Sequence, residues 1–177
     1  MNHLMLDFET LGNTPDAAVV SLGACLFDKA GINERKLWHF DIQEQFNARR
    51  QPSADTIRWW LDQSAKAKNV FDKCKTEGTS MRIIGPEIVA MCKGKDVRAW
   101  GNGATFDVTI AEHILLQLRL EIPWKFWNIR CYRTLKNIAD IEAGKKREGT
   151  HHNALDDSAF QAQNVIDYFK VNPKADR

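Results

Sequence analysis

The sequence is poor in the features that mark several large protein classes. Its 177 residues hold four cysteines, Cys25, Cys74, Cys92 and Cys131, with no CxxC spacing among them. That scatter suggests neither a zinc knuckle nor a disulfide framework, and ordinary reduced thiols are expected. No apolar run approaches the roughly 20 residues of a membrane-spanning helix. The opening "MNHLMLDFET" lacks the basic start and small-residue cleavage site of a signal peptide, so a cytoplasmic location with no membrane partner is expected. A glycine-rich phosphate loop is missing, and "GNG" at 101–103 lacks the spacing of a dinucleotide fingerprint. No convincing nucleophile for covalent catalysis stands out, and the net charge is only +2.

What the chain does have is a core and an uneven charge. At 44% hydrophobic it is neither disordered nor membrane-embedded, and its length suits one compact domain, taken as residues 1–177. Residues 1–44 carry three Lys/Arg against seven Asp/Glu, whereas residues 45–75 carry seven against three and residues 121–149 seven against four. An acidic element beside basic ones suits a site that handles a polyanion through metal ions, though a solvated surface gives the same counts.

Periodicity gives a coarse architecture. Residues 3–8, 17–28 and about 35–42 read as strands, and "DKAGIN" supplies a turn between the last two. Close spacing makes them an antiparallel meander. From Pro52 the pattern turns helical, with Ser53 or Asp55 able to cap the helix that begins there. Further helices fit 80–93 (capped by Thr79 or Ser80), the stretch from Thr105, 131–140, and Asn153 to Lys170; "VRAW" at 97–100 reads as a short buried strand. The expected fold is therefore α/β, a mixed sheet with later strands parallel and helices on its faces. "AGKKREGTHH" (143–152) is the best candidate for a mobile loop.

The acidic residues fall where an ordinary core would not put them. In "HLMLDFETLG" strand alternation places Met5, Asp7 and Glu9 on one face, and two neighbouring carboxylates need a cation or solvent. Asp107 opens a helical stripe that continues through Ile110, Ala111, Ile114 and Leu118, which calls for a cation, a strong donor or a place at a cleft rim. A first-turn position favoured by the helix dipole is the plainer reading. In "HHNALDDS" the helical stripe of Leu155, Ala159, Ala162, Ile166 and Phe169 includes neither Asp156 nor Asp157, so periodicity does not choose between them. Oxygen donors in such a cluster suit Mg²⁺ or Mn²⁺ rather than zinc. Two such ions can activate a water and stabilise both oxygens of a phosphoryl displacement, with a neutral histidine taking the proton.

Three stretches, "DFET" (Asp7, Glu9), "NGATFD" (Asn102 to Asp107) and "HNALDD" (His152 to Asp157), resemble in order the motifs of the DEDDh 3′→5′ exonucleases. "TIRWWLDQS" is similar, more narrowly, to the small exonucleases of the phage exonuclease A type and a related bacterial exoribonuclease group. The resemblance implies a ribonuclease H-like fold with the first strand central. It implies two divalent cations, Asp7 bridging them, Glu9 and Asp157 completing the shell of the tighter one, and Asp107 holding the other. It further implies His152 as general base, so that activity rises with pH through the His152 pKa. His151 and Asp156 fit the same five-residue spacing, and the "NALDDSA" next to them favours His152 with Asp157. The reaction implied is removal of nucleotides from the free 3′ end of single-stranded DNA or RNA, releasing nucleoside 5′-monophosphates. A dedicated exoribonuclease is the narrower alternative. A nuclease-derived module that binds ends without cutting is the rival class, and five filled catalytic positions count against it.

Four residues are candidates for holding the strand end. Thr10 and Leu11 resemble family positions that contact the terminal nucleotide. Trp59 and Trp60 must point about 100° apart on a helix. Trp60 joins Ile57 and Leu61 on an apolar stripe, whereas Trp59 has Asp55, Thr56, Asp62 and Gln63 around it, a polar face from which it and Gln63 could meet a base. "IPWKFW" (122–127) mixes aromatics with a lysine, with core packing the expected role.

Overall fold

A computed structural model describes residues 1–146 and 152–176. Its centre is a five-stranded sheet in the order β3-β2-β1-β4-β5. The strands are β1 (Asn2–Thr10), β2 (Val19–Asp28), β3 (Gly31–His39), β4 (Val97–Gly101) and β5 (Ile129–Cys131). β1, β2 and β3 pair antiparallel, while β4 lies parallel to β1, and β5 parallel to β4. The expected meander is present, but β3 starts at Gly31, so the turn narrows to Lys29 and Ala30, with Asp28 accepting from the Ala30 and Gly31 amides.

β1 is central because it can be buried on both faces. Leu4, Leu6 and Phe8 face one core with Ile84 and Ile88 of α4 (Met81–Cys92) and Ile110 and Ile114 of α5 (Asp107–Gln117). Met5 faces a second core with Trp100, Tyr132 of α6 (Tyr132–Ala139), and Val165, Ile166 and Phe169 of α7 (Ala154–Val171). Helices thus cover both faces. A smaller third core gathers Leu11, Ala18 and Val20 under Trp60 of α2 (Ala54–Leu61) and Ala67 and Cys74 of α3 (Ala65–Glu77).

Several expectations need correction. A short helix, α1 (Ile42–Asn47), was not legible, nor was β5, which is only three residues long. Ile57 and Leu61 are exposed, so Trp60 enters the core without them. α5 begins at Asp107 rather than Thr105. Of the aromatics in 122–127, Trp124 is buried and donates to Glu112, but Phe126 and Trp127 stand in solvent. All four cysteines are unpaired thiols, and burial pushes Cys74 up to about 11 and Cys92 up to about 12. The suggested mobile loop falls largely on 147–151, outside the described residues, as does His151.

Candidate active site

The site forms where β1, α5 and α7 end or begin together. Beyond Met5, the same face of β1 presents Asp7 and Glu9, and the pairing slips between Glu9 and Thr10, ending the regular ladder there. Trp60 Nε1 donates to the Thr10 carbonyl at 2.8 Å, which pins the strand end. Asp7 pairs with Gly23 on β2, and that glycine is what lets α7 approach: a Cβ there would overlap the Ala154 carbonyl. The first turn of α7 therefore rests directly on the sheet. Asn153 caps it, its side chain accepting from the Leu155 and Asp156 amides at 3.1 Å each.

That contact settles what periodicity left open. Asp157 is turned inward at 8% exposure, close to the 9% of both Asp7 and Glu9, while Asp156 is half-buried on the outer side. Asp7, Glu9 and Asp157 each offer a carboxylate oxygen within 4.8 Å of the other two. Three buried anionic groups so close repel one another strongly unless a cation lies among them. Their donors are all hard oxygens, so the set fits a divalent cation such as Mg²⁺ or Mn²⁺.

Asp107 closes the other side. It opens α5 at only 3% exposure and accepts from the Phe8 amide at 3.0 Å. Burial, and then the charge of Asp7, push its carboxyl well above the usual carboxylate range. Gly101 makes room for it, since a Cβ there would stand 2.6 Å from that of Asp107. The core stripe and the first-turn position, offered as alternatives, are both occupied by this one residue.

His152 sits just before the cap with φ +62°, a left-handed backbone that a non-glycine residue adopts at a cost. Its Nδ1 lies 3.9 Å from Glu9 Oε1. The ring meets Trp59 edge-on at 5.0 Å and Trp60 at 6.4 Å. Trp59 keeps 42% exposure and so combines a wall for His152 with an open ring face. Thr10 and Leu11 are largely buried, Leu11 within the third core. Gln63 donates to the Trp59 carbonyl at 2.9 Å, and so turns back on its own helix end.

One residue of the site escaped the reading of the sequence. Gln161 is 4% exposed and its Nε2 donates to Asp7 Oδ1 at 2.7 Å. A signal for it existed: Gln161 lies four residues beyond Asp157, hence on the same face of α7.

The sheet order and the helices on both faces define a ribonuclease H-like architecture. Nearly the whole chain superposes on Escherichia coli exonuclease I. In its complex with a 5cy-dT13 oligonucleotide the TM-score is 0.68 at 11% identity, over 98% of this chain and 41% of that one. With a dA16 oligonucleotide it is 0.66 at 11%, over 96% and 41%. The chain thus spans about two fifths of exonuclease I. By sequence it is 29% identical over 163 residues to the exodeoxyribonuclease of Enterobacteria phage T4, covering 76% of this chain and 70% of that protein. Residues 2–169 match the Rv2179c-like 3′-5′ exoribonuclease domain, and the chain belongs to that family. It is a 3′-5′ exonuclease, a hydrolase of nucleic acid from a family that uses divalent metal. Among the described residues no helix is long and apolar enough to cross a membrane.

Proposed function

We propose that the protein removes nucleotides one at a time from the free 3′ end of single-stranded nucleic acid, releasing nucleoside 5′-monophosphates with the help of two divalent cations. The observation that carries this reading is the approach of Asp7, Glu9 and Asp157 to within 4.8 Å, beside the buried Asp107. Those four carboxylates would hold Mg²⁺ or Mn²⁺, which when bound supplies charge to offset the phosphodiester and lowers the pKa of an attacking water. In this reading His152, whose partly exposed ring lies 3.9 Å from Glu9, takes the proton of that water at a ring nitrogen and releases it to bulk, and its nearness to Glu9 supports the role. Trp59 offers the terminal base an aromatic face. Thr10 and Leu11 contribute the backbone at the end of β1, and Gln63 holds the helix end that carries Trp59.

RNA is the favoured substrate on the description of the family, while the phage relative is an exodeoxyribonuclease. The deciding experiment offers 5′-labelled single-stranded RNA and DNA of one sequence with Mg²⁺, Mn²⁺ or EDTA, using Asp7→Ala as the control. A ladder shortening from the 3′ end, absent with EDTA and in the variant, is expected, with RNA the faster substrate. Intact strands with either metal, yet retained binding, would overturn hydrolysis in favour of an end-binding module.

Gln161 acts through Asp7, fixing which carboxylate oxygen faces the other ligands. Outer partners of this kind are worth about 10- to 100-fold in metal affinity or activity. Gln161→Leu should raise the Mg²⁺ concentration for half-maximal rate by that factor and should weaken Mn²⁺ binding measured calorimetrically without substrate. Unchanged metal dependence would remove Gln161 from the site.

A further inference from the structure

Among the described residues the two most exposed aromatic side chains are neighbours in sequence and lie outside every core. Phe126 is 78% exposed and Trp127 60%, and they meet edge-on at 4.8 Å on the turn Phe126–Asn128 that leads into β5. Adjacent rings this exposed make an apolar step on the surface. Lys125 Nζ lies 5.5 Å from the Trp127 ring centre, and Arg130 Nη1 donates back to the Trp127 carbonyl at 2.8 Å. At the far end of β5, Cys131 pairs with Gly101, against which Asp107 packs. There Arg133 donates to the Asn102 carbonyl at 2.8 Å, exposed and with no carboxylate in ion-pair range among the described residues. Lys125 at the aromatic step and Arg133 at the rim of the active site thus mark the two ends of the sheet's outer edge, with Arg130 holding the backbone between them. Asp96 lies 4.0 Å from Lys125 and 3.3 Å from Arg98, so it is shared between two cations.

We infer that this edge is the track for the substrate strand 5′ of the end being hydrolysed, with Phe126 and Trp127 stacking its bases and Lys125 and Arg133 meeting its phosphates. The inference rests on the function proposed above and adds a second contact region to it. Exposed rings interleaved with cations are what a single strand requires, because every base has a π-face and every linkage a charge. The reach also matches: from Cys131 back to Trp127 is on the order of 10 Å at strand rise, which about three stacked nucleotides span. A protein partner would cover the rings equally well but has no need of cations leading to the site.

The test is binding of 5′-fluorescent single strands of 2, 4, 8 and 12 nucleotides in EDTA, by anisotropy, with wild type and the double variant Phe126→Ser/Trp127→Ser. Both side chains are exposed, so the variant should keep the wild-type melting temperature. Wild-type affinity should rise with length, and the variant should lose about 10- to 100-fold for the 12-mer and nothing for the dinucleotide. Cleavage of the dinucleotide with Mg²⁺ should be unchanged. Equal affinity of the two proteins at every length would overturn the track while leaving 3′ hydrolysis standing. So would a wild-type dimer, seen by sedimentation, that the double variant converts to monomer with no change in length dependence. A wild type that cuts no strand at any length would instead refute the proposed function itself.

Discussion

Asp107→Asn should abolish hydrolysis and yet make the metal-free protein more stable at neutral pH. In the proposed function Asp107 is a ligand of a charge-stabilising centre, and loss of such a ligand costs several kcal/mol in the transition state, about 10³-fold in rate. Stability moves the other way because the wild-type carboxylate is buried beside Asp7, and its pKa in the folded protein is raised. A raised folded-state pKa means that protonation favours the fold. That contribution is fully present below the unfolded value near 3.8 and is lost as pH rises through the folded value. Asparagine is neutral throughout and its Oδ1 can still accept from Phe8 N. In EDTA the variant should therefore melt at least about 3 °C above wild type at pH 7.5, the shift that roughly 1 kcal/mol gives in a chain of this size. The two curves should converge toward pH 4. Added Mg²⁺ should raise the wild-type melting temperature and leave the variant nearly unmoved. A variant that melts below wild type in EDTA at pH 7.5 would show that a cationic partner already stabilises the Asp107 carboxylate.

Gly23→Ala should be nearly as damaging to activity, although residue 23 touches no substrate. A methyl there would overlap the Ala154 carbonyl and come within 2.5 Å of Leu155 N, all backbone with no flexible side chain to yield. The first turn of α7 would have to lift by about 1 Å, and displacements of that size cost on the order of 10²-fold when they move catalytic groups. His152 and Asp157 flank that turn, so kcat should fall by about that factor. Overpacking should add about 1–3 kcal/mol of destabilisation. Gly31→Ala is the control: nothing lies within 4 Å of its Cβ position, so rate and melting temperature should hold. A Gly23→Ala enzyme with wild-type kcat would mean that α7 is not held by this contact.

The two glycines show why some of the site could not be read from the chain. Asp7 and Glu9 were legible because a strand has a period of two, and Met5, Asp7 and Glu9 do share a face. Asp107 was legible from its helical stripe, and Trp59 and Trp60 did separate into exposed and buried, although Ile57 and Leu61, the stripe expected to accompany Trp60, are exposed. Asp156 against Asp157 was not legible by periodicity. The face α7 buries at its first turn is set by Gly23 across the gap, a contact 131 positions away that no local pattern encodes. The same cause hid Gln161, whose partner lies on β1. β5 has three residues, too few for alternation to register.

By itself, then, the sequence determined the first strand and its two-carboxylate face, the antiparallel meander, the apolar helical stripe that Asp107 opens, and the residue types of each exonuclease-like motif. Each is local, a matter of side-chain period within one element or of residue types a few positions apart. Tertiary structure decided which aspartate of α7 turns inward, that Trp59 walls His152, that Gln161 fixes Asp7, and that Phe126 and Trp127 stay in solvent. Those outcomes depend on the closeness of backbones from different elements, set by packing against missing Cβ atoms at Gly23 and Gly101 and by cores that fill before every aromatic residue has found a place.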